Sequence, residues 1–149
     1  MKKLGFMIVF LFSLLVSSVT GALSLDYDVA RVDVDGTTVS DFPGAQEVVV
    51  ERGQALPIEV WVNAFNSVDN VRVEASIKGH EGGSIRAESE IFELDANTVK
   101  KMPLVLDIPS DLDASQTYTL VVEVSDKQNG VVKEFSVRVK EQRHLLNVL

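Results

Sequence analysis

The 149-residue chain contains no cysteine, so no disulfide bond is available to hold it together. Small domains of the eukaryotic secretory pathway often depend on disulfides, and their absence favours a prokaryotic origin. Thiolate ligands for zinc are missing as well, and the two histidines alone do not make up a zinc site. We therefore predict no bound metal.

Basic residues are scarce relative to acidic ones. The chain has 14 lysines and arginines against 22 aspartates and glutamates, which gives a formal net charge of −8. Such a chain is repelled by nucleic acid phosphates, and it has no basic patch for an anionic lipid surface. We predict no nucleic acid partner, and contact with a membrane only through the N-terminal segment.

The motifs of several common enzyme chemistries are missing. The chain has no Gly-x-Ser-x-Gly element of the α/β-hydrolase type. The glycines between Gly79 and Gly83 lack the lysine and hydroxyl residue of a phosphate-binding loop. His80-Glu81 is followed by Ser84 at the position where a zinc protease motif has its second histidine. We predict a non-enzymatic protein with no catalytic residue and no cofactor.

The first 22 residues form a segment distinct from the rest of the chain. Two lysines precede an apolar run over 4–16, and small residues continue to Ala22. This order is typical of a secretory signal peptide, and the run is shorter than the roughly 18 residues that a membrane-spanning helix needs. We predict a hydrophobic signal helix at 1–22, cleaved after Gly21 or Ala22, and an extracytoplasmic location, either secreted or at the cell surface. Retention of the segment as a membrane anchor is the alternative.

Apolar and polar residues alternate from about residue 28 to residue 140. Val71, Val73, Ala75 and Ile77, for example, are separated by charged or hydroxyl side chains. A period of two predicts half-buried β-strands. We predict an all-β domain over 26–141, folded as an antiparallel β-sandwich of about seven to eight strands. A small barrel is the alternative.

Two local segments carry further expectations. Asn129-Gly130 predicts a two-residue hairpin turn, since both residues tolerate positive φ. The segment Ile85–Leu94 has a weaker alternation and is assigned to one strand.

Two stretches of the chain resemble a known family. They read VERGQALPIEVWVNAFNSVDNVRVEASIKG (50–79) and FELDANTVKKMPLVLDIPSDLDASQTYTLVVEVSDKQNG (92–130). In the second, a Leu-x-Leu-x-Ile-Pro strand from Leu104 leads through a loop to a Tyr-x-Leu-x-Val-x-Val strand from Tyr118. This order resembles the immunoglobulin-like repeats of archaeal surface-layer-type and adhesion-type exported proteins, and related sandwiches accompany bacterial carbohydrate-active enzymes. The resemblance implies an immunoglobulin-like fold, a structural or adhesive role at the cell surface (an S-layer is one setting), and other surface-protein domains or repeats as partners.

The last eight residues, 142–149, are rich in leucine and valine. In proteins of the resembled type, such a segment opens the next sandwich. We predict an apolar C-terminal strand at 142–149 that either begins a following repeat or folds onto this domain as an edge strand.

Acidic residues offer two candidate calcium sites. The motif Asp33-Val34-Asp35-Gly36 is similar to the start of a calcium loop, but position twelve is Gly44 instead of glutamate. We therefore assign Asp33 and Asp35 to the solvent face of a strand. A second group would need the loops to bring its members together at one end of the domain, and it consists of Asp107, Asp111, Asp113 and Asp126.

Trp61 and Phe65 are the candidate interaction residues. They share one face of a predicted strand, opposite the aliphatic stripe that runs from Leu56 to Ala64. An exposed face would make them an aromatic pair suited to a partner domain or to a sugar ring. In the alternative, the strand is central and neighbouring long side chains cover both of its faces. A glycan is thus the alternative partner, and a carbohydrate-binding accessory module is the alternative function.

A pilin-like filament subunit is the second alternative. In that interpretation Lys3-Leu4-Gly5-Phe6 is a processing site, and the hydrophobic helix stays on as the filament core. The small residues Thr20-Gly21-Ala22 argue instead for removal of the helix.

Overall fold

The structure, a computed structural model, describes residues 25–39 and 47–141. The predicted signal segment 1–22 and the predicted C-terminal strand 142–149 lie outside these residues. The described residues form strands, turns and loops, and they include no helix that is long and apolar enough to cross a membrane.

Ten strands are present in the described part of the chain. Their number exceeds the predicted seven to eight because 85–94 forms two short strands and because a three-residue strand at 37–39 turns back on the first one. The strands are β1 (Tyr27–Val34), β2 (Thr37–Val39), β3 (Val48–Val50), β4 (Ala55–Ala64), β5 (Val68–Lys78), β6 (Ile85–Glu88), β7 (Phe92–Leu94), β8 (Thr98–Asp107), β9 (Thr117–Ser125) and β10 (Gly130–Val139).

The strands form two sheets. The four-stranded sheet has the order β2-β1-β4-β8. The second sheet has the order β3-β10-β9-β5-β6, and β7 pairs with β5 beside it. Neighbouring strands are antiparallel except for β3 and β10, which run parallel. The prediction of an all-β, sandwich-like fold is confirmed.

The core consists of the side chains that the two sheets turn toward each other. On β4 the inward residues Leu56, Ile58, Val60 and Val62 are completely buried. The residues between them are partly or fully exposed, so that burial alternates along the strand. The predicted aliphatic stripe of this strand is therefore confirmed, and its opposite side forms the outer face of the four-stranded sheet.

The turn between β9 and β10 differs from the prediction. Neither Asn129 nor Gly130 has a positive φ, and Gly130 already belongs to the strand ladder. A four-residue loop, 126–129, closes the hairpin instead. The Asp126 carboxylate accepts hydrogen bonds from the backbone N–H groups of Gln128 (2.6 Å) and Asn129 (2.7 Å). This side chain, which copies the hydrogen bonds of a backbone turn, organises the loop.

A tight two-residue turn occurs at Asp35 and Gly36, between β1 and β2. Their φ angles are 51° and 80°, and the flanking residues Val34 and Thr37 pair with each other. Positive φ at both central positions matches the twist of a hairpin, and Asp-Gly is a favoured sequence there. The motif at 33–36 is therefore a hairpin turn in this structure.

The chain crosses from the four-stranded sheet to the second sheet between β8 and β9. Tyr118, at the start of β9, is buried, and its hydroxyl accepts a hydrogen bond from the Asp113 N–H (3.0 Å). The Asp113 carboxylate accepts hydrogen bonds from the Ser115 hydroxyl (2.7 Å) and N–H (2.9 Å). These bonds, led by the one from the hydroxyl, lower the pKa of Asp113. The crossing loop is thus tied to the strand that follows it.

The described chain enters and leaves the sandwich at opposite ends. At the entry pole, where β1 begins, the Tyr27 hydroxyl donates a hydrogen bond to the carbonyl of Asn129 in the loop before β10 (3.0 Å). At the exit pole, where β10 ends, the Lys140 N–H donates to the Val50 carbonyl (2.8 Å). At about 3.3 Å per residue, β10 separates the two poles by roughly 30 Å.

Candidate functional site

Trp61 lies in the middle of β4, on the outer face of the four-stranded sheet. The Trp61 side chain is half-buried, whereas the side chains of its neighbours in sequence, Val60 and Val62, point into the core. The strand registers place Arg31 of β1 on one side of Trp61 and Lys101 of β8 on the other. The strand lies inside its sheet. Two long cationic side chains from the neighbouring strands contact the tryptophan.

Both cations contact the indole ring. The Arg31 guanidinium carbon lies 4.6 Å from the ring centroid, and the Lys101 ammonium nitrogen lies 5.9 Å from it. A cation within about 6 Å of an aromatic face is attracted by the electron density of that face. We call Arg31, Trp61 and Lys101 the positive row.

The next level of the same face is acidic. Asp33 on β1 pairs with Glu59 on β4, and Glu59 pairs with Pro103 on β8. The Glu59 carboxylate lies 3.9 Å from the Lys101 ammonium group, and both side chains are partly exposed. We call Asp33, Glu59 and Pro103 the negative row.

Asp33 is buried, contrary to the prediction of a solvent-facing carboxylate. Arg31 holds it through two hydrogen bonds, from Nε (2.8 Å) and Nη2 (2.6 Å), and the Thr38 hydroxyl donates a third (2.8 Å). The Arg31 hydrogen bonds are the main reason why the pKa of Asp33 is lowered, against the opposing effect of burial. The carboxylate is thus fully occupied inside the sheet and does not act as a calcium ligand here.

Phe65 lies directly after β4 and is 49% exposed. Its backbone N–H donates to the Asp26 carbonyl (2.8 Å), which extends the β1–β4 ladder by one residue and keeps Phe65 on the outer face. Four residues of extended chain place it about 13 Å from Trp61. The two residues share a face, as predicted, but they do not form a stacked pair.

β8 also contributes side chains to this face, and these were not among the predicted interaction residues. Val99 and Val105 are 58% and 56% exposed, and Pro103 lies between them on the same side. The alternation that places Leu104 and Leu106 in the core places these residues outside, so the signal was present in the same strand. Together with Trp61 and Phe65 they place several exposed or partly exposed apolar side chains on the outer face.

The four aspartates considered for calcium do not meet. Asp107 is the last residue of β8 near the exit pole, and Asp111 and Asp113 lie in the loop between β8 and β9. Asp126 follows β9 at the entry pole, about 30 Å away at 3.3 Å per residue. Over residues 25–39 and 47–141 no three His, Cys, Asp or Glu side chains are grouped so that they could hold a metal ion.

His80 is held in the loop before β6. Its Nδ1 lies 3.2 Å from the Gly83 carbonyl and its Nε2 lies 3.2 Å from the Asp111 carboxylate. A Cβ on Gly82 would lie 2.7 Å from the imidazole Cε1, so a larger residue there would require the His80 ring to move. The histidine thus joins two loops at the exit pole, which is a structural role.

Comparison with solved structures finds the same fold in proteins of low sequence identity. The C-terminal domain of Wzt matches with a TM-score of 0.55 and 14% identity, covering 80% of this chain and 77% of that one. A Niemann-Pick type C2 protein from the Japanese carpenter ant matches with a TM-score of 0.57 and 9% identity, covering 78% of this chain and 95% of that one.

A third match is to part of a larger enzyme. A family 123 glycoside hydrolase from Clostridium perfringens, whose structure was analysed for glycolipid glycan hydrolysis, matches with a TM-score of 0.50 and 13% identity. The match covers 64% of this chain and 23% of the hydrolase. No protein-family model matches the chain, and no curated protein matches it in sequence. At these identities the shared property is the fold, and the chain is similar to other β-sandwich-like proteins in that respect.

Proposed function

We propose that the chain is a non-enzymatic, immunoglobulin-like structural or adhesive domain of an exported cell-surface protein. The observation that carries this proposal is that the described residues begin at one pole of the sandwich, at the start of β1, and end at the other, after β10. A domain that receives the chain at one end and passes it on at the other adds its full length, roughly 30 Å, to whatever it joins. That arrangement suits a spacer or a repeat in an extended array.

The strand order supports the immunoglobulin-like assignment. In immunoglobulin domains, strands A, B and E are neighbours in one sheet, and G, F, C and C′ in the other. β1-β4-β8 follows the first order and β10-β9-β5-β6 follows the second. Tyr118 adds a second likeness, because immunoglobulin domains carry a tyrosine near the start of strand F that bonds to the backbone a few residues upstream.

The export half of the proposal is supported by the sequence of residues 1–22. The archaeal surface-layer-type assignment is supported by the resemblance over 50–79 and 92–130. The acidic composition and the lack of cysteine agree with both.

Export is tested in cells that produce the full chain with a tag after Leu149. We expect mass spectrometry to find a mature N-terminus at Ala22 or Leu23, and protease added to intact cells to remove the tag. A tag protected inside the cytoplasm would overturn the proposal. A mature N-terminus at Gly5 or Phe6 would favour the pilin-like alternative instead.

A carbohydrate-binding module is the second candidate, and two observations favour it. Trp61 is only half-buried on the outer face, and part of a glycoside hydrolase shares the fold. However, Arg31 and Lys101 contact the ring that a sugar would stack on. We therefore expect no retention on a glycan array. Binding that falls tenfold or more in Trp61→Ala, but is unchanged in Val121→Ala on the other sheet, would replace the structural function with this one.

A further inference from the structure

We propose that the outer face of the four-stranded sheet binds a second copy of this chain, related to the first by a two-fold axis that crosses the strands. The inference rests on the adhesive half of the proposed function and names its partner. It is carried by the charge pattern of the face, by the spacing of its exposed valines and by the register of its strands.

One residue of each long strand of the sheet lies in the same row across the three strands. Val32 pairs with Val60, and Val60 pairs with Met102. The positive row lies one residue to one side of this central row, and the negative row lies one residue to the other side. The two rows are parallel and about 6–7 Å apart. Arg31 and Asp33 hold each other within one copy, so the exposed charges of opposite sign that remain for a partner are Lys101 and Glu59.

A two-fold axis across the strands at this central row places each positive row on the partner's negative row. Lys101 then comes beside the partner's Glu59, and the side chains of both are about half exposed. An axis along the strands would instead set Arg31 against the partner's Lys101. On a chain with a net charge of −8, attraction at the contact also offsets the general repulsion between two copies. The charges thus select the crosswise axis.

The apolar residues follow the same symmetry. Val99 and Val105 are each three residues from Met102 along β8. The crosswise axis therefore brings Val99 of one copy over the partner's Val105, and it removes both from water. Trp61 lies near the centre of the contact, where aromatic and arginine side chains contribute most to binding. Packing of two sheet faces at about 10 Å is a common arrangement in proteins.

The test uses the absence of native cysteine. Cells that produce the full chain carrying both Val99→Cys and Val105→Cys are treated with a short bis-maleimide crosslinker. A crosslinker is needed because the two facing sheets are too far apart for a disulfide bond. We expect a covalent dimer from the double variant and from a mixture of the two single variants. Each single variant alone should stay monomeric, since its cysteines would lie about 20 Å apart across the axis.

Val132→Cys is the matched control, because Val132 is 50% exposed on the second sheet. Equal crosslinking of this control, dimers from either single variant alone, or capture of a protein of different mass would each overturn the proposal. So would a processed protein that sediments as a monomer up to millimolar concentration.

Charge reversal gives an independent measurement on the processed protein. Glu59→Lys and Lys101→Glu should each weaken dimerisation about tenfold in ultracentrifugation, and the double reversal should restore it. Weakening that is not restored overturns the crosswise pairing. A dimer found in a protein that stays in the cytoplasm would contradict the proposed function alone, whereas an exported monomer would contradict only this inference.

Discussion

Replacing Leu120 with alanine is expected to lower the free energy of unfolding by about 2–5 kcal/mol. Leu120 lies in β9 near the middle of the second sheet and is completely buried between the two sheets. Truncating a buried leucine removes its transfer free energy and leaves a cavity that the rigid β-sandwich fills only in part. Because a domain of this size is stable by only about 5–15 kcal/mol, the change takes away a large fraction of its stability.

The matched control for this substitution is its neighbour in sequence. Val121 belongs to the same strand but points to the outer face of the second sheet, where it is only partly buried. Val121→Ala should cost less than about 1 kcal/mol. Both changes in the free energy of unfolding are to be measured by urea unfolding, followed by tryptophan fluorescence. Equal losses in the two variants would contradict the inward and outward alternation on which the fold is built.

The second large effect is a loss of stability between pH 10 and pH 12. Burial, followed by the negative charge of Asp126, raises the pKa of Tyr27 to about 12 from its usual value of 10. The folded protein therefore holds the tyrosine proton more tightly than the unfolded chain does. The corresponding stability is complete below pH 10 and decreases as the pH rises toward 12, by about 2–3 kcal/mol.

The variant Tyr27→Phe separates the effect of Tyr27 ionisation on stability from that of lysine titration, because the lysines titrate alike in the wild type and in the variant. The variant should lose about 1 kcal/mol at neutral pH, because the Asn129 carbonyl loses its hydrogen-bond donor. It should then show a shallower decrease of stability above pH 10. Parallel pH profiles for the wild type and the variant would show that Tyr27 ionises equally easily in the folded and unfolded states.

The sequence was sufficient to predict the long strands and the sides they bury. Apolar and polar residues alternate regularly in β4, β5 and β9. In such a strand the apolar residues all lie on one face, so the sequence alone predicts which face is buried. The short strands were harder to predict. β2 has three residues, and it exists because Asp35 and Gly36 adopt the positive φ angles of a tight hairpin. The second half of the candidate calcium motif, Asp35-Gly36, is therefore a turn.

The candidate site was predictable in part for a similar reason. Alternation within β4 places Trp61 on the outer face, and Phe65 directly follows the strand. The contacts of Trp61 with Arg31 and Lys101 come from strands about 30 and 40 residues away in the chain, and their positions depend on two strand registers. The register of two strands depends on packing in the whole sheet, so the sequence of one strand does not predict which residues of its neighbours lie beside it. The same dependence explains why Asp126 was grouped with aspartates at the other pole.

The described residues begin and end at opposite poles of the sandwich, and this has a mechanical consequence. A pull applied through the polypeptide would act along β1 and β10, which carry the chain at the two poles. β10 is flanked by β3 on one side and by β9 on the other, with hydrogen bonds directed across the strands. A force along β10 loads all of these bonds in shear at once, instead of opening them one after another from an end. This geometry therefore resists a pull applied at the two ends of the described chain.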